Sequence, residues 1–133
     1  MTVIPASIPA SHRDLLERPL FGHLATIRPD GTPQVNPMWV LWDGTFLWFT
    51  NTTTRQKYRN VTATPQVAVS VNDPEAPYRY LEIRGVVERI DPDPNAEFFM
   101  RLADRYAMKL DGPPADAPHR VAYAVRPTAV SFQ

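Results

Sequence analysis

The feature that most constrains this chain is a period of two. Apolar residues alternate in short runs separated by Gly, Pro, Asn and Asp turn signals, a pattern that suits antiparallel β-strands and little else. Residues 20–27 read as a first strand, Arg28-Pro29-Asp30-Gly31 as a turn, residues 33–42 as a second strand, Asp43-Gly44 as another turn, and residues 45–50 as a third. In the third strand Phe46, Trp48 and Thr50 share one face while Leu47 and Phe49 share the other, so both faces expect cover. A fourth strand spans residues 66–72 with Val67, Val69 and Val71 on one side. After a loop at residues 73–77, Tyr78-Arg79-Tyr80 leads into a long fifth strand, residues 81–90, where Gly85 predicts a bulge or a tight bend. Residues 120–125 supply a sixth strand and residues 128–132 a last short one.

Helical periodicity is confined to three places. Ser11 is expected to cap a short helix with Asp14 in a capping box, Leu15 and Leu16 facing inward and Pro19 ending it. Residues 54–61 allow about two turns before Pro65. Asp93 as cap and Pro94 at the first helical position introduce a longer helix, with Phe99, Ala103, Tyr106 and Leu110 as its apolar stripe. Residues 1–10 are expected to form an arm. The fold class that follows is mainly β with minor α: one domain over residues 1–133, six to seven short antiparallel strands closing into a closed or partly open barrel.

Chemistry concentrates where the third strand ends. Thr52, Thr53 and Thr54 precede Arg55, Lys57 and Arg59 at the start of a helical pattern. Hydroxyls, unpaired amides at a helix N-terminus and a guanidinium fork are donors suited to phosphate oxygens. On a regular helix Lys57 lies about 200° from Arg55, so the two converge only if Arg55 is still in the loop and Lys57 is in the first turn. Trp39, Trp42, Trp48 and Phe49 fall in the neighbouring strands and serve either as barrel core or as walls for a planar heterocycle.

Other chemistries are disfavoured. Fourteen basic and fourteen acidic residues give a formal net charge of zero, which lacks the broad basic footprint of a nucleic-acid binder. With no cysteine there is no thiolate chemistry, and the three histidines have no metal-ligand spacing. No serine sits in a nucleophile elbow, and no glycine-rich phosphate loop is present. No apolar run reaches the length of a membrane span and no signal peptide is read, so the cytoplasm is the expected location. Twelve Arg against two Lys suggest a GC-rich genome.

Three blocks, LATIRPDGTPQVNPMW at residues 24–39, LWFTNTTTRQKYRNV at 47–61 and LEIRGVVERI at 81–90, with Pro65 and VAVSV at 67–71 between them, resemble the pyridoxamine 5'-phosphate oxidase-like split β-barrel superfamily. The likeness is greatest to its actinobacterial branch using the deazaflavin coenzyme F420. The resemblance implies a homodimer with the cofactor at the interface. It implies Arg55 and Lys57 on the cofactor phosphate with Thr54 and Arg59 as helpers, Asn36, Pro37 and Met38 against the ring system, and Phe49, Thr50 and Asn51 as the strand edge beside it. Tyr78 and Tyr80 are expected near the substrate, and no side chain is assigned as a catalyst. The C-terminus, residues 126–133, lacks the extended substrate-phosphate motif of the true pyridoxamine phosphate oxidases, which argues against vitamin B6 chemistry. The expected function is an F420H2-dependent reductase. An FMN-dependent oxidoreductase and a non-catalytic F420, flavin or haem carrier remain open beside it, and Arg59 or Arg79 are candidate partners for the acidic tail of F420.

Overall fold

A computed structural model describes residues 6–133, so the first half of the expected arm, residues 1–5, lies outside the described residues. A 3-10 turn at Ala10–His12 and the short helix α1 (Asp14–Glu17) precede the strands β1 (Gly22–Ile27), β2 (Pro33–Met38), β3 (Leu41–Trp42) and β4 (Leu47–Thr52). Helix α2 (Gln56–Ala63), strands β5 (Gln66–Asp73) and β6 (Ala76–Pro92), helix α3 (Glu97–Arg105) and strand β7 (Arg120–Phe132) follow. All strand pairs are antiparallel, in one seven-stranded sheet ordered β2-β1-β5-β6-β7-β4-β3.

That order explains the barrel. β2 and β3 are the two edges of the sheet, yet only Trp39 and Val40 separate them along the chain. A sheet whose first and last strands are joined by two residues must curl until its edges meet. The expected single strand over residues 33–42 is therefore two strands with different partners, β2 on β1 and β3 on β4. Val40 is where pairing stops, because its amide donates to Tyr106 Oη (2.9 Å) and its carbonyl accepts from Arg105 Nε (3.1 Å). Arg105 also donates to the carbonyls of Leu16, Glu17 and Arg18 at 2.8–3.2 Å, satisfying the end of α1 that its four residues leave open.

The core lies inside the curl. Leu24, Leu47, Phe49, Val67, Val69, Val71, Leu81, Ile83, Tyr123 and Val125 are buried there, with Leu15 and Leu16 of α1 plugging one end as their spacing predicted. Ser11 is not the cap of α1: Arg13 holds that position without a side-chain bond, and Ser11 Oγ bonds His12 Nδ1 at 2.8 Å. His12 Nε2 donates to the Gln133 carbonyl at 3.0 Å, which leaves Nδ1 as the acceptor and pins the two ends of the described chain together.

Two long strands replace shorter expected ones. β6 runs unbroken for 17 residues, and β7 takes residues 120–132 as one strand through Pro127. Pro127 pairs with Gly85 where the register shifts: Arg84 pairs with Ala129 and Gly85 with Pro127. Thr128 is therefore the extra residue, and the bulge lies in β7 opposite Gly85, beside the proline that lacks an amide. Helix α3 starts later and ends earlier than its stripe suggested. Ala96, not Asp93, is the N-cap and adopts φ 56°, but the Asp93 carboxylate still accepts from the Phe98 and Phe99 amides at 3.2 and 3.1 Å. At the other end Ala107 (φ 56°) stops the helix in a Schellman arrangement, with Met108 N bonded to Ala103 O and Ala107 N to Asp104 O; Leu110 lies beyond it.

A Cβ at Gly85 would sit 2.7 Å from the Arg126 carbonyl oxygen and 2.7 Å from Val125 Cγ1, both in the rigid neighbouring strand. Gly85→Ala is therefore expected to cost about 1–3 kcal/mol in urea unfolding. Gly22→Ala, whose nearest obstruction is the Val69 side chain at 2.9 Å, is expected to cost less.

Candidate functional site

Helix α2 begins at the end of β4, and its first turn is chemically open. Arg55 is the N-cap in an extended conformation (φ −91°, ψ 154°) and makes no side-chain cap bond, so Lys57 falls in the first turn. This is the geometry that lets the two cations converge. The threonines leave the helix amides uncapped as well, since Thr52 Oγ1 bonds Thr54 Oγ1 at 2.9 Å. Arg55 and Lys57 have no carboxylate partner among the described residues, as Arg13, Arg28, Arg59, Arg101, Arg105 and Lys109 also have none; what sets the pair apart is its place at an uncapped helix start. Burial, reinforced by the neighbouring Arg55 charge, holds the Lys57 ammonium below the usual lysine range. Arg59 is exposed and donates Nε and Nη2 to Gln56 Oε1 at 3.2 and 2.8 Å.

A network of side-chain amides joins this turn to β2. Asn60, fully buried on α2, accepts from Gln56 Nε2 (2.9 Å) and donates to Thr26 Oγ1 of β1 (2.9 Å) and Gln34 Oε1 of β2 (3.2 Å). Gln34 Nε2 in turn donates to Asn36 Oδ1 at 2.9 Å. Thr26, Gln34 and Asn60 are not distinguished by any local sequence motif; a polar Gln34-Val35-Asn36 alternation on an edge strand was the available signal.

Beyond Asn36, Pro37, Met38 and Trp39 line a hollow of about 330 Å³ with Phe21 and Thr50. The structure thus brings Pro37, Met38 and Thr50 together. Phe49 and Asn51 turn their side chains inward: Phe49 is in the core, and Asn51 Nδ2 donates to the buried Tyr123 hydroxyl at 3.1 Å. Burial pushes the Tyr123 phenol well above the usual range despite that bond. What Phe49 and Asn51 leave toward the hollow is backbone, for β3 pairs with β4 only at Leu47 and Trp48. Trp39 stacks on Tyr106 (5.4 Å, 16°), which stacks on Phe21 (5.8 Å), so Tyr106, which the helical stripe had marked only as core, does not line the hollow itself but backs two residues that do.

The other aromatics serve elsewhere. Trp42 packs on the core, and Trp48 lies against Phe98 and Arg89 beside a second hollow of about 350 Å³. Asp43, Asp91, Asp93 and Glu97 line that hollow against Arg101, so it would repel an anion. Tyr78 is 87% exposed and lines a shallow depression with His12, Arg79 and Gln133; neither it nor Tyr80 lines the hollow beside Met38. Arg79 is not available to a ligand tail, because it donates to Asp14 (2.6 and 3.0 Å), Asp73 (3.2 Å) and the Ser11 carbonyl (2.7 Å). Among the described residues no group of three His, Cys, Asp or Glu could hold a metal, and no helix is long and apolar enough to cross a membrane.

Comparison with known proteins agrees with this architecture. The family model described as pyridoxamine 5'-phosphate oxidase matches residues 8–133. No curated protein matches the sequence. Among solved structures, one called F420 reductase is 62% identical, with a TM-score of 0.92, covering 95% of this chain and 100% of its own. A conserved hypothetical protein from Mycobacterium tuberculosis is 25% identical (TM-score 0.72, covering 96% of this chain and 85% of that one). The General Stress Protein 26 from Bacillus anthracis shares the fold at 20% identity (TM-score 0.69, covering 90% and 88%).

The support behind the hollow makes a test of its own. Tyr106 Oη donates to the Leu20 carbonyl (2.6 Å) while accepting from Val40 N, so Tyr106→Phe would leave both backbone groups unpaired. Urea unfolding is expected to show a loss of about 1–3 kcal/mol.

Proposed function

The chain belongs to the pyridoxamine 5'-phosphate oxidase family, and from that premise we propose that it is an F420H2-dependent reductase that passes hydride to a small electron-poor acceptor. The observation that carries the reading is the pair Arg55 and Lys57, without carboxylate partners at the uncapped first turn of α2. Arg55 is exposed and Lys57 half-buried. The partly desolvated Lys57 ammonium, with Arg55 beside it, gains from an anionic ligand, and a phosphate group supplies that charge with charge-assisted hydrogen bonds. The solved structure called F420 reductase, matched along nearly the whole chain, supports the deazaflavin over FMN.

In this reading the bound cofactor supplies the hydride chemistry, and the chain binds, orients and shields it. Arg55 and Lys57 hold the phosphate with Thr54 and Arg59 beside them. Asn36, Pro37, Met38 and the backbone of residues 49–51 lie along the ring, with Trp39, backed by Tyr106, closing one side. Phe21 and Val35 are apolar and exposed on the flank of this groove, at 56% and 63%, which supports cover by a second copy of the chain. Neither Tyr78 nor Tyr80 lines the hollow of its own chain, so either would approach the acceptor only from the second copy.

Titration of the purified apo-protein with F420 and with FMN, followed by fluorescence, tests the proposal. F420 is expected to bind and its reduced form to be turned over with a reducible acceptor; tight binding of FMN alone would overturn the deazaflavin assignment, and F420 binding without turnover of any acceptor would make the protein a carrier. Lys57→Ala is expected to weaken F420 binding by more than about 1 kcal/mol. The pH dependence carries a sign. The phosphate binds the protonated ammonium, whose pKa in the free protein is depressed, so affinity is present below that pKa and lost as pH rises through it. The loss should begin below the ordinary lysine value, and Lys57→Arg should remove that alkaline limb.

A further inference from the structure

We infer that the relay Arg59–Gln56–Asn60–Gln34 fixes the orientation of the Asn36 carboxamide, so that Asn36 offers the groove a hydrogen-bond donor and not an acceptor. This rests on the groove between α2 and β2 being the cofactor site. A carboxamide has one donor end and one acceptor end of nearly equal shape, and which end points where is decided by its partners. Here the decision is made at one terminus. A guanidinium has only donors, and Arg59 places both Nε and Nη2 on the same atom of Gln56, at 3.2 and 2.8 Å, so that atom must be the carbonyl oxygen Oε1.

Every later link then has one possible sense. Gln56 Nε2 donates to Asn60 Oδ1 (2.9 Å), and Asn60 Nδ2 spends its two hydrogens on Thr26 Oγ1 (2.9 Å) and Gln34 Oε1 (3.2 Å). Gln34 Nε2 donates to Asn36 Oδ1 (2.9 Å), which occupies the acceptor end of Asn36 and leaves Nδ2. Reversing any one amide would set donor against donor or oxygen against oxygen at its neighbour. Asn60 is fully buried, so such a mismatch there could not be relieved by water. The ligand atom complementary to Asn36 is therefore an acceptor on the heterocycle, a ring carbonyl oxygen or an unprotonated ring nitrogen. Gln34 and Asn60 are positioning residues: they set what Asn36 presents to the groove. The same links tie the phosphate-binding turn to the ring-facing strand, so both ends of one ligand are gripped in a fixed register.

A double-mutant cycle between Gln34 and Asn36 tests this, using fluorescence titration with whichever of F420 or FMN the wild type binds, and Lys57→Ala as the reference for the cofactor site. Gln34 is half-exposed and Met is neutral and close in size, but Gln34→Met also removes the acceptor of one buried Asn60 Nδ2 hydrogen. Its melting temperature is therefore expected to fall by a few degrees, and the titrations are run well below it, where the variant stays folded while Asn36 loses its anchor. Gln34→Met and Asn36→Ala are each expected to weaken binding by about tenfold, the scale of one lost hydrogen bond, and the double variant no further than Asn36→Ala alone. In amide-resolved NMR spectra, the Asn36 side-chain NH2 signals should shift on ligand binding in the wild type and collapse toward averaged, unshifted signals in Gln34→Met. Wild-type affinity in Gln34→Met, or additive losses near a hundredfold in the double variant, would overturn the relay while Lys57→Ala still reports an intact cofactor site. No binding of either cofactor by the wild type would overturn both the relay and the site.

Discussion

Val40 is the hinge of this architecture. Its amide and carbonyl are taken by Tyr106 and Arg105 of the α3 end and not by a neighbouring strand, so the chain leaves β1 after Met38 and joins β4 at Leu41. Because these are the two edges of the sheet, that single change of partners curls seven strands into a barrel and leaves an opening between β2 and the unpaired edge of β4. The groove is a direct result of where pairing stops. Arg105 also closes α1, and Tyr106 stacks behind Trp39 and Phe21, two residues that line the hollow, so the end of α3 supports that hollow from outside.

Two features of opposite character lie at the two sides of β4 and its exit: one polar, one apolar. At the polar one Arg55 and Lys57 stand at an uncapped helix start; at the apolar one Met38, Trp39 and Phe21 line a hollow with Thr50. A ligand with an anionic group on one side and a planar ring on the other matches that polarity. The nearby hollow beside Trp48 has comparable volume but carries four carboxylates, and charge alone separates the two. Family membership is consistent with this division, since the matched region spans both the groove and the strands that frame it.

Much of this was legible in the sequence, and the parts that were not share a cause. Period-two alternation marked the strands, and Gly85 marked the level of the bulge, because those signals are local. The run of Thr52 to Thr54 before Arg55 and Lys57 placed a helix start there for the same reason, and Lys57 does fall in the first turn of α2. The break at Val40 was invisible, as it depends on Arg105 and Tyr106 more than sixty positions away. The end of α3 was missed because Ala107 adopts the left-handed conformation usually reserved for glycine. Pro127 suggested two strands where one exists, since a bulge at the adjacent Thr128 lets β7 continue past it opposite Gly85, which depends on pairing with a distant strand. The Asn60 network had no signature, because scattered Asn, Gln and Thr residues acquire meaning only when folding makes them neighbours. Arg79 read as a free cation and is held by Asp14 and Asp73 for the same reason.

The central claim is that one ligand spans the groove with its phosphate at the first turn of α2. A crystal structure of the protein with oxidised F420 tests it most directly. The expected result is phosphate oxygens within about 3 Å of Arg55 and Lys57 nitrogens, with the ring against Asn36, Pro37 and Met38. A cofactor whose phosphate lies elsewhere, with Arg55 and Lys57 left in solvent, would contradict the account.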